Sequence, residues 1–221
     1  MYSSGSTASL AKPTDGVVSR LINRRISLRI SLLLARCCPP SPDLVSVVAA
    51  ALVGLAGPLY ASGHSIAAGL AAQLGAILDG VDGEIARLTG RASKAGAILD
   101  TYLDRLADIA LLAGMALAAL AQLGNPPLAA WLTALAVSGD MIVTYIHAYI
   151  EKTLGRHPAL IGRIPNIAGR DTRLFIAFLA GLASNPVAGL AAIAALGHAY
   201  AAAKTLEALR EAEKEASTAT S

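Results

Sequence analysis

Four aspartates lie in one stretch of an otherwise apolar chain, in the segment LDGVDGEIARLTGRASKAGAILDTYLD at residues 78–104. Asp79 and Asp82 are three residues apart, and Asp100 and Asp104 are four apart, so each pair shares one face of a helix. The segment between the pairs is short, which brings the acidic faces of two antiparallel helices together. Like charges this close cannot all ionise unless a cation lies between them, and carboxylates without histidine or cysteine favour a hard ion. The spacing therefore predicts a site for Mg²⁺ or Mn²⁺, with carboxylates enough for two ions, an arrangement used in phosphoryl chemistry.

Glycines and basic residues accompany these aspartates. Gly80, Gly83 and Gly96 are poor helix residues, and beside the aspartates they would let a bulky ligand approach the backbone. Arg87 shares a face with Gly80 and Gly83, where its guanidinium could pair with a phosphate. The alternative is that the acids, with Asp108, form structural salt bridges to their basic neighbours: Arg87, Arg91, Lys94 and Arg105. The acids exceed what such pairing needs, and charged residues within apolar helices usually mark function, so we prefer the binding interpretation.

The rest of the chain must position these residues, and its composition indicates an integral membrane protein. The 221 residues are 55% hydrophobic and 15% charged, with a mean hydropathy of +0.57, whereas soluble domains carry roughly 25% charge. No charged residue occurs in 44–78, 109–139 or 174–203. Each run is long enough for most of two crossings of roughly 20 residues, and turn residues interrupt each near its middle. We therefore predict an all-α polytopic membrane protein with six transmembrane helices, near 43–61, 65–89, 93–121, 127–151, 170–184 and 186–210.

The basic residues set the expected topology. Lys and Arg concentrate on one side of these helices, so both termini and the active site should face the cytoplasm, in the plasma membrane. Segment 19–38 is basic and amphipathic, which predicts an interfacial helix, and no cleavable signal peptide is apparent. The domain prediction is a disordered head at 1–18, one membrane domain at 19–210 and a polar, disordered tail at 211–221.

The aspartate segment resembles the signature of the CDP-alcohol phosphotransferases (the CDP-alcohol phosphatidyltransferase family). It reads D-x-x-D-G-x-x-A-R-x8-G-x3-D-x3-D, and its fixed residues are Asp79, Asp82, Gly83, Ala86, Arg87, Gly96, Asp100 and Asp104. That family's six-helix fold agrees with the helix count obtained separately above. The resemblance implies an enzyme that passes a phospho-alcohol from a CDP-alcohol to an acceptor hydroxyl and releases CMP. It also implies a homodimer.

The resemblance further implies roles for individual residues. The four aspartates of the motif would hold the metal ions, and Asp104, the last of them, would be the general base for the acceptor hydroxyl. The nucleotide site would be lined by Asp79, Gly83, Ala86, Arg87 and Gly96. The segment SPDLVS at 41–46 is similar to the family's Pro-Asn-x-x-Thr entry to the first helix. It adds Asp43 and Ser46 to the nucleotide site, although both depart from that pattern.

Three further segments resemble the family members that use soluble inositol substrates. They are NRRISLRIS at 23–31, AQLGAILDGVDGEIARL at 72–88 and GRDTRLF at 169–175. This resemblance implies CDP-inositol as donor and inositol 1-phosphate as acceptor, giving di-myo-inositol phosphate phosphate. A phosphorylated acceptor needs a cationic clamp near a helix N-terminus, and the candidates are Arg163, Arg170 and Arg173. The ordinary alternative is that these arginines only set the membrane topology.

Two other functions stay open from the sequence. An archaetidyl- or phosphatidylinositol phosphate synthase would share the phosphorylated acceptor but take a CDP-lipid donor. A small cation transporter would use the acids as an ion path, and it would need polar residues through the whole membrane depth. Asp140 has no role in the family pattern, and we expect it to be a protonated group facing Ser138, Thr144 or a partner subunit. His147 and Tyr149 are the residues of the same helix expected to approach the pocket.

Overall fold

The computed structural model describes residues 14–219, with side chains up to residue 217. Within these residues seven α-helices follow one another: α1 (Arg24–Cys37), α2 (Pro42–Ala61), α3 (Ser65–Leu88), α4 (Lys94–Leu123), α5 (Pro126–Leu154), α6 (Arg170–Leu182) and α7 (Pro186–Ala219). A one-turn π-helix, Ser19–Asn23, leads into α1, and a short 3-10 turn, Pro158–Leu160, lies between α5 and α6. The described residues contain no strand, so the all-α class is confirmed.

Helices α2 to α7 lie where the six crossings were predicted, but they differ in their capacity to span a bilayer. Among the described helices, α2, α4, α5 and α7 are long and apolar enough to cross. Helix α3 carries the acidic motif, and α6 has 13 residues, fewer than the roughly 17 to 25 that a crossing needs. The structure therefore supports a multi-pass membrane protein with four candidate spans, and the count of six stays a prediction.

Glycines let the helices that carry the site pack closely. A side chain on Gly114 of α4 would place its Cβ 2.0 Å from the carbonyl oxygen of Gly57 on α2, and one on Gly181 of α6 would place it 2.7 Å from the Cα of Gly69 on α3. No other residue fits at such backbone contacts, which are typical of membrane helix interfaces. Helix α2 therefore meets α4 backbone to backbone, and α3 meets α6 in the same way. Because α2 packs extensively against both α3 and α4, it holds the two helices that carry the acidic motif.

Helix α1 faces the protein with its polar side. Asn23, Ser27 and Ser31 recur at four-residue spacing and are buried, whereas Leu21 and Leu33 are 58% and 64% exposed. This orientation is the reverse of that in a water-soluble helix, and it fits the predicted helix at a membrane surface, where exposed apolar and basic side chains meet lipid.

The predicted boundaries of head and tail need correction. Residues 1–13 of the predicted disordered head lie outside the described residues, but 14–18 are packed, since the backbone N–H of Val17 donates to the carbonyl of Asn166 (3.2 Å). At the other end α7 continues to Ala219, so the polar segment expected to be disordered is helical over its described part. Arg156, two residues after the end of α5, forms ion pairs there with Glu211 and Glu215.

Candidate active site

The aspartates of the motif converge between α3 and α4. Carboxylate oxygens of Asp79, Asp100 and Asp104 all lie within 4.8 Å of one another. Asp82 lies one turn further along α3, is buried, and accepts hydrogen bonds from the Ser46 hydroxyl of α2 and from the backbone N–H of Gly83. The predicted acidic constellation is therefore present, with three members in one cluster and the fourth held beside it by α2.

An arginine from α6 lies among these carboxylates. Arg170 Nη1 is 2.9 Å from Asp79 Oδ1 and 2.9 Å from Asp104 Oδ1, and its Nε donates to Asp108 Oδ1 at 3.0 Å. The side chain of Arg170 is 13% exposed, so this is a partly desolvated ion cluster in which Coulomb attraction is strong. The arginine provides the positive charge that neighbouring carboxylates require.

The donor set fits a divalent cation. Asp79, Asp100 and Asp104 each offer a carboxylate oxygen to one point, and all three are partly exposed, which leaves access for an ion. A hard cation such as Mg²⁺ or Mn²⁺ prefers such oxygen ligands. The contact of Arg170 with two of the three shows that this point already attracts positive charge. When bound, the ions would neutralise a pyrophosphate and polarise its phosphorus centres.

A cavity of about 200 Å³ opens on one side of the aspartates, between α2, α3 and α4. It contains six of the seven residues predicted for the nucleotide: Asp43, Ser46, Gly83, Ala86, Arg87 and Gly96. A Cβ on Gly96 would lie 3.2 Å from Asp43 Oδ1, so a larger residue there would fill the cavity. The seventh residue, Asp79, belongs to the carboxylate cluster and does not line this cavity. We call this space the nucleotide-side cavity.

A second, more polar cavity of about 290 Å³ opens on the opposite side. Its walls come from the chain before α1, from α3 and from the start of α6, and they include Asp15, Arg24, Asp79, Asn166, Arg170 and Asp171. Four residues line both cavities: Asp82, Gly83, Arg87 and Asp100. The two spaces are therefore separated by the acidic motif itself, and a molecule in each would meet at the carboxylates. We call this second space the α6-side cavity.

The three arginines proposed for the acceptor occupy different environments. Arg170 lines the α6-side cavity, but Arg173 does not: its side chain is 8% exposed, and its Nη2 lies 2.5 Å from Asp140 Oδ1. Arg163 is exposed and lines neither cavity, and its backbone N–H donates to Glu207 (2.7 Å). The structure thus brings one of the three to the site.

The expectation for Asp140 is wrong in its partner. Its carboxylate, 1% exposed, is paired with Arg105 (3.2 Å) and Arg173, and the predicted hydroxyl partner Thr144 contacts Arg105. His147 and Tyr149 line neither cavity, since His147 Nε2 lies 3.0 Å from the Tyr200 hydroxyl and Tyr149 is exposed. The alternative interpretation, in which the acids form structural salt bridges, named four basic residues. One of them, Arg105, does pair with acids. The arginine that contacts the aspartate cluster is Arg170, which was not among the four.

With this geometry established, the chain can be compared with known proteins. The profile of one family, described as CDP-alcohol phosphatidyltransferase, matches residues 40–203. The chain belongs to this family. The resemblance to this family, which the aspartate motif indicated, is therefore confirmed. Members of this family are transferases, so the interpretation as a cation transporter is set aside.

Relatives within the CDP-alcohol phosphatidyltransferase family include two kinds of protein. A "Bifunctional IPC transferase and DIPP synthase" of Rubrobacter xylanophilus is 42% identical over 196 residues, which cover 89% of this chain and 43% of that protein. The chain spans less than half the length of the bifunctional relatives it matches. An "Archaetidylinositol phosphate synthase" of Pyrococcus horikoshii is 32% identical over 174 residues, which cover 76% of this chain and 86% of that protein.

Solved structures of the family share the fold. The phosphatidylinositol phosphate synthase of Mycobacterium tuberculosis with CDP-DAG bound superposes with a TM-score of 0.66 at 22% identity, over 83% of this chain and 94% of that one. The same enzyme in complex with manganese and citrate also gives a TM-score of 0.66, at 21% identity, over 83% and 89% of the two chains. At this identity the likeness concerns the fold.

The wall of the α6-side cavity that comes from residues 14–27 lies outside the family match, and the sequence predicted no role for it in the site. Glu84 is fully buried and accepts hydrogen bonds from Arg24 (2.6 Å), Ser27 (2.8 Å) and Ser31 (2.6 Å). Arg24 also pairs with Asp15 at 3.0 Å. Burial by itself would lower the pKa of the Arg24 guanidinium, but its hydrogen bonds to Asp15 and Glu84 outweigh burial and raise the pKa, so the side chain stays charged.

A sequence signal for this network did exist. Asn23, Ser27 and Ser31 form a polar stripe at four-residue spacing, and the buried polar groups of a helix must find partners on another element. The partners lie on α3, where Gln73 Nε2 donates to Asn23 Oδ1 at 2.8 Å and Glu84 accepts from both serines. Two of the segments that resembled the inositol-using members are therefore joined by direct side-chain contacts.

Proposed function

We propose that the chain is a metal-dependent CDP-alcohol phosphotransferase that joins CDP-inositol to inositol 1-phosphate and releases CMP. The observation that carries the proposal is the placement of the acidic motif as the shared wall of two polar cavities. A donor and an acceptor held on opposite sides of that wall would bring the pyrophosphate and the attacking hydroxyl to the same carboxylates. Holding two reactants in this way supplies much of the rate enhancement of a transfer reaction.

The proposed donor position follows from the nucleotide-side cavity. CMP would lie among Asp43, Ser46, Ala86 and Gly96, which leaves the pyrophosphate at Asp82 and Asp100 and the donor alcohol beyond them. Arg87 lines both cavities and is placed to contact a phosphate oxygen. The fold relative with bound CDP-DAG supports a CDP-alcohol as the donor class.

The proposed acceptor position follows from Arg170. Its Nη2 is buried without a hydrogen-bond partner among the described residues, so one donor of the guanidinium is left for a ligand. Arg170 is also the first residue of α6, so the positive end of the helix dipole lies beside it, although the carboxylate of Asp171 already lies at this helix start. A phosphate on the acceptor would accept a hydrogen bond from Nη2. We retain Arg170 as the acceptor-phosphate residue, and neither Arg163 nor Arg173 reaches this cavity.

The transfer itself requires one bond to form and one to break. The acceptor hydroxyl oxygen would bond to the phosphorus that carries the donor alcohol, while the pyrophosphate bond to CMP breaks and CMP leaves with that bond's electron pair. Asp104 is proposed to take the hydroxyl proton, because it belongs to the cluster and is 18% exposed. Asp79, Asp82, Asp100 and Asp104 would hold one or two Mg²⁺ or Mn²⁺ ions, and manganese in a fold relative supports this class of cofactor.

We further propose that the site faces the cytoplasm and that two copies associate. The concentration of Lys and Arg on one side of the apolar helices supports the orientation, and exposed large apolar residues on α4 and α5, such as Leu117 and Trp131, supply surface for lipid or a second copy.

A phospholipid synthase is the second candidate, because the archaetidylinositol phosphate synthase is matched over most of its own length whereas the bifunctional relatives are matched over less than half. The test is CMP release by the purified protein with inositol 1-phosphate and either CDP-inositol or CDP-archaeol. We expect turnover with CDP-inositol and little with the lipid donor. The reverse preference would replace the proposed function by the second candidate, and equal use of unphosphorylated inositol would remove the role of Arg170.

A further inference from the structure

A line of buried ion pairs leads away from the aspartate cluster toward α5. Arg170 Nε donates to Asp108 Oδ1 at 3.0 Å, and Asp108 Oδ2 lies 2.8 Å from Arg105 Nη2 and 4.0 Å from Arg173 Nη2. Both of these arginines then meet Asp140, at 3.2 Å and 2.5 Å. Asp140 is thus the far end of a network whose near end is the arginine at the active site.

The charges of this network depend on one another. Asp108 and Asp140 balance Arg105 and Arg173, and the four residues are together neutral, so the charge of Arg170 is left for the aspartate cluster and its ligands. Asp108 and Asp140 are 5% and 1% exposed, so water cannot replace a missing partner. An unpaired charge in such a place is costly, and the remaining groups rearrange to reduce that cost.

The position of Arg170 is set by Asp108. A guanidinium is planar, so fixing Nε by one hydrogen bond also fixes the directions in which its two terminal nitrogens point. With Nε on Asp108, Nη1 points to Asp79 and Asp104, and Nη2 is left unpaired among the described residues. If Asp140 were neutral, Arg105 and Arg173 would both turn to Asp108 and compete with Arg170 for it.

We infer that Asp140 is a positioning residue for Arg170, acting through Arg105, Arg173 and Asp108. This inference rests on the proposed function for the identity of the acceptor, but the geometry that it describes does not depend on the substrate. Asp140 touches neither cavity and is therefore not a catalytic residue.

The test is a double-mutant cycle between Asp140→Asn and Arg170→Lys, read in two ways. Asp140→Asn alone should raise the KM for the acceptor about tenfold, the change expected when a charge-assisted contact is partly lost. The KM for the donor should change less than about twofold. In the Arg170→Lys background the same change should raise the acceptor KM less than about twofold, because the group to be positioned is gone. A merely structural role would instead give equal effects in both backgrounds and would overturn the inference.

The second reading needs no substrate. Mn²⁺ affinity measured by titration should fall about fivefold on Asp140→Asn in the parent protein and less than about twofold in Arg170→Lys, since a displaced Arg170 competes with the ion for Asp79 and Asp104. If the wild-type protein showed no turnover, the proposed function would be contradicted. The double-mutant cycle measured by Mn²⁺ titration would still test the inference about Asp140. Ser138→Ala, which alters a hydroxyl on the same helix that contacts Leu135 and His198, is the matched control and should change neither reading.

A charge-balanced variant covers the case in which Asp140→Asn does not fold. Asp140→Asn combined with Arg173→Gln removes one charge of each sign, a change that buried pairs often tolerate. Asp108 then keeps Arg105, whose acidic partner on α5 is gone, so the acceptor KM should stay at least about fivefold above the parent value. A folded double variant with the parent KM would overturn the inference.

Discussion

The buried carboxylate of Glu84 should be the main attachment of α1 to the rest of the protein. It accepts three hydrogen bonds from α1, and the substitution Glu84→Gln keeps the shape of the side chain while removing its charge. Hydrogen bonds to charged groups contribute about 1.5–3 kcal/mol and neutral ones about 0.5–1.5 kcal/mol. Losing about 1 kcal/mol at each of three bonds predicts a destabilisation of about 3 kcal/mol.

Thermal unfolding in detergent measures this effect. For a chain of this size about 1 kcal/mol corresponds to about 2–4 °C, so Glu84→Gln should lower Tm by about 6–12 °C. Trypsin cleavage after Arg25 and Arg29, which are exposed on α1, should also accelerate, because the helix separates more often. Leu33→Ala is the control on the same helix, since this side chain is 64% exposed and should change Tm by less than about 2 °C. A Tm for Glu84→Gln equal to that of the control would refute the assignment.

Two further predictions concern the active site. EDTA should abolish CMP release, and Mg²⁺ or Mn²⁺ should restore it. Asp100→Asn should lower turnover by at least about 100-fold, whereas the control Glu211→Gln, in the last turns of α7 and partly exposed, should not. Activity that persists in EDTA after dialysis contradicts the metal site. Gly96→Leu should raise the donor KM roughly 5–150-fold without changing the acceptor KM, because the new side chain would fill the nucleotide-side cavity. The control is Gly54→Leu on α2, which has open space around its Cβ position and should leave both KM values unchanged. A normal donor KM in Gly96→Leu would place the nucleotide elsewhere.

Patterns with a local physical cause were predictable from the sequence. Charge-free runs broken by turn residues predicted six helices, and helices are found at all six places, because an apolar segment without polar partners must satisfy its backbone internally. The i, i+3 and i, i+4 spacing of the aspartates, with the short segment between the pairs, also predicted their convergence, which is found. The two helices are held together mainly through α2, which packs against both. Whether α3 and α6 cross the bilayer could not be predicted in this way. It depends on how neighbouring helices cover the charged residues of α3 and the short helix α6.

The α6-side cavity was only partly predictable. Asp79 and Arg170 were singled out by spacing and type, but Asp15, Asn166 and Asp171 come from loops and helix starts far apart in the chain. Their convergence depends on the packing of the segment before α1 against the loop before α6, where Ser19 N–H donates to Asp171 Oδ2 at 2.6 Å. Periodicity within one helix carries no information on such contacts between segments.

The pair Arg170 and Arg173 shows where the spacing of residues no longer predicts the contacts of their side chains. Residues three apart share a helix face, and both arginines do lie beside the same acid, Asp108, at 3.0 Å and 4.0 Å. Their guanidinium groups nevertheless separate, because Arg170 extends to the aspartate cluster and Arg173 extends to Asp140. Spacing fixes the Cα positions and the shared face, whereas the acids on α3 and α5 decide which arginine reaches a ligand. Arg173 is directed to the buried Asp140 and lines neither of the two cavities, whereas Arg170 lines the α6-side cavity and keeps Nη2 without a hydrogen-bond partner among the described residues. Arg170 is therefore the residue to substitute first.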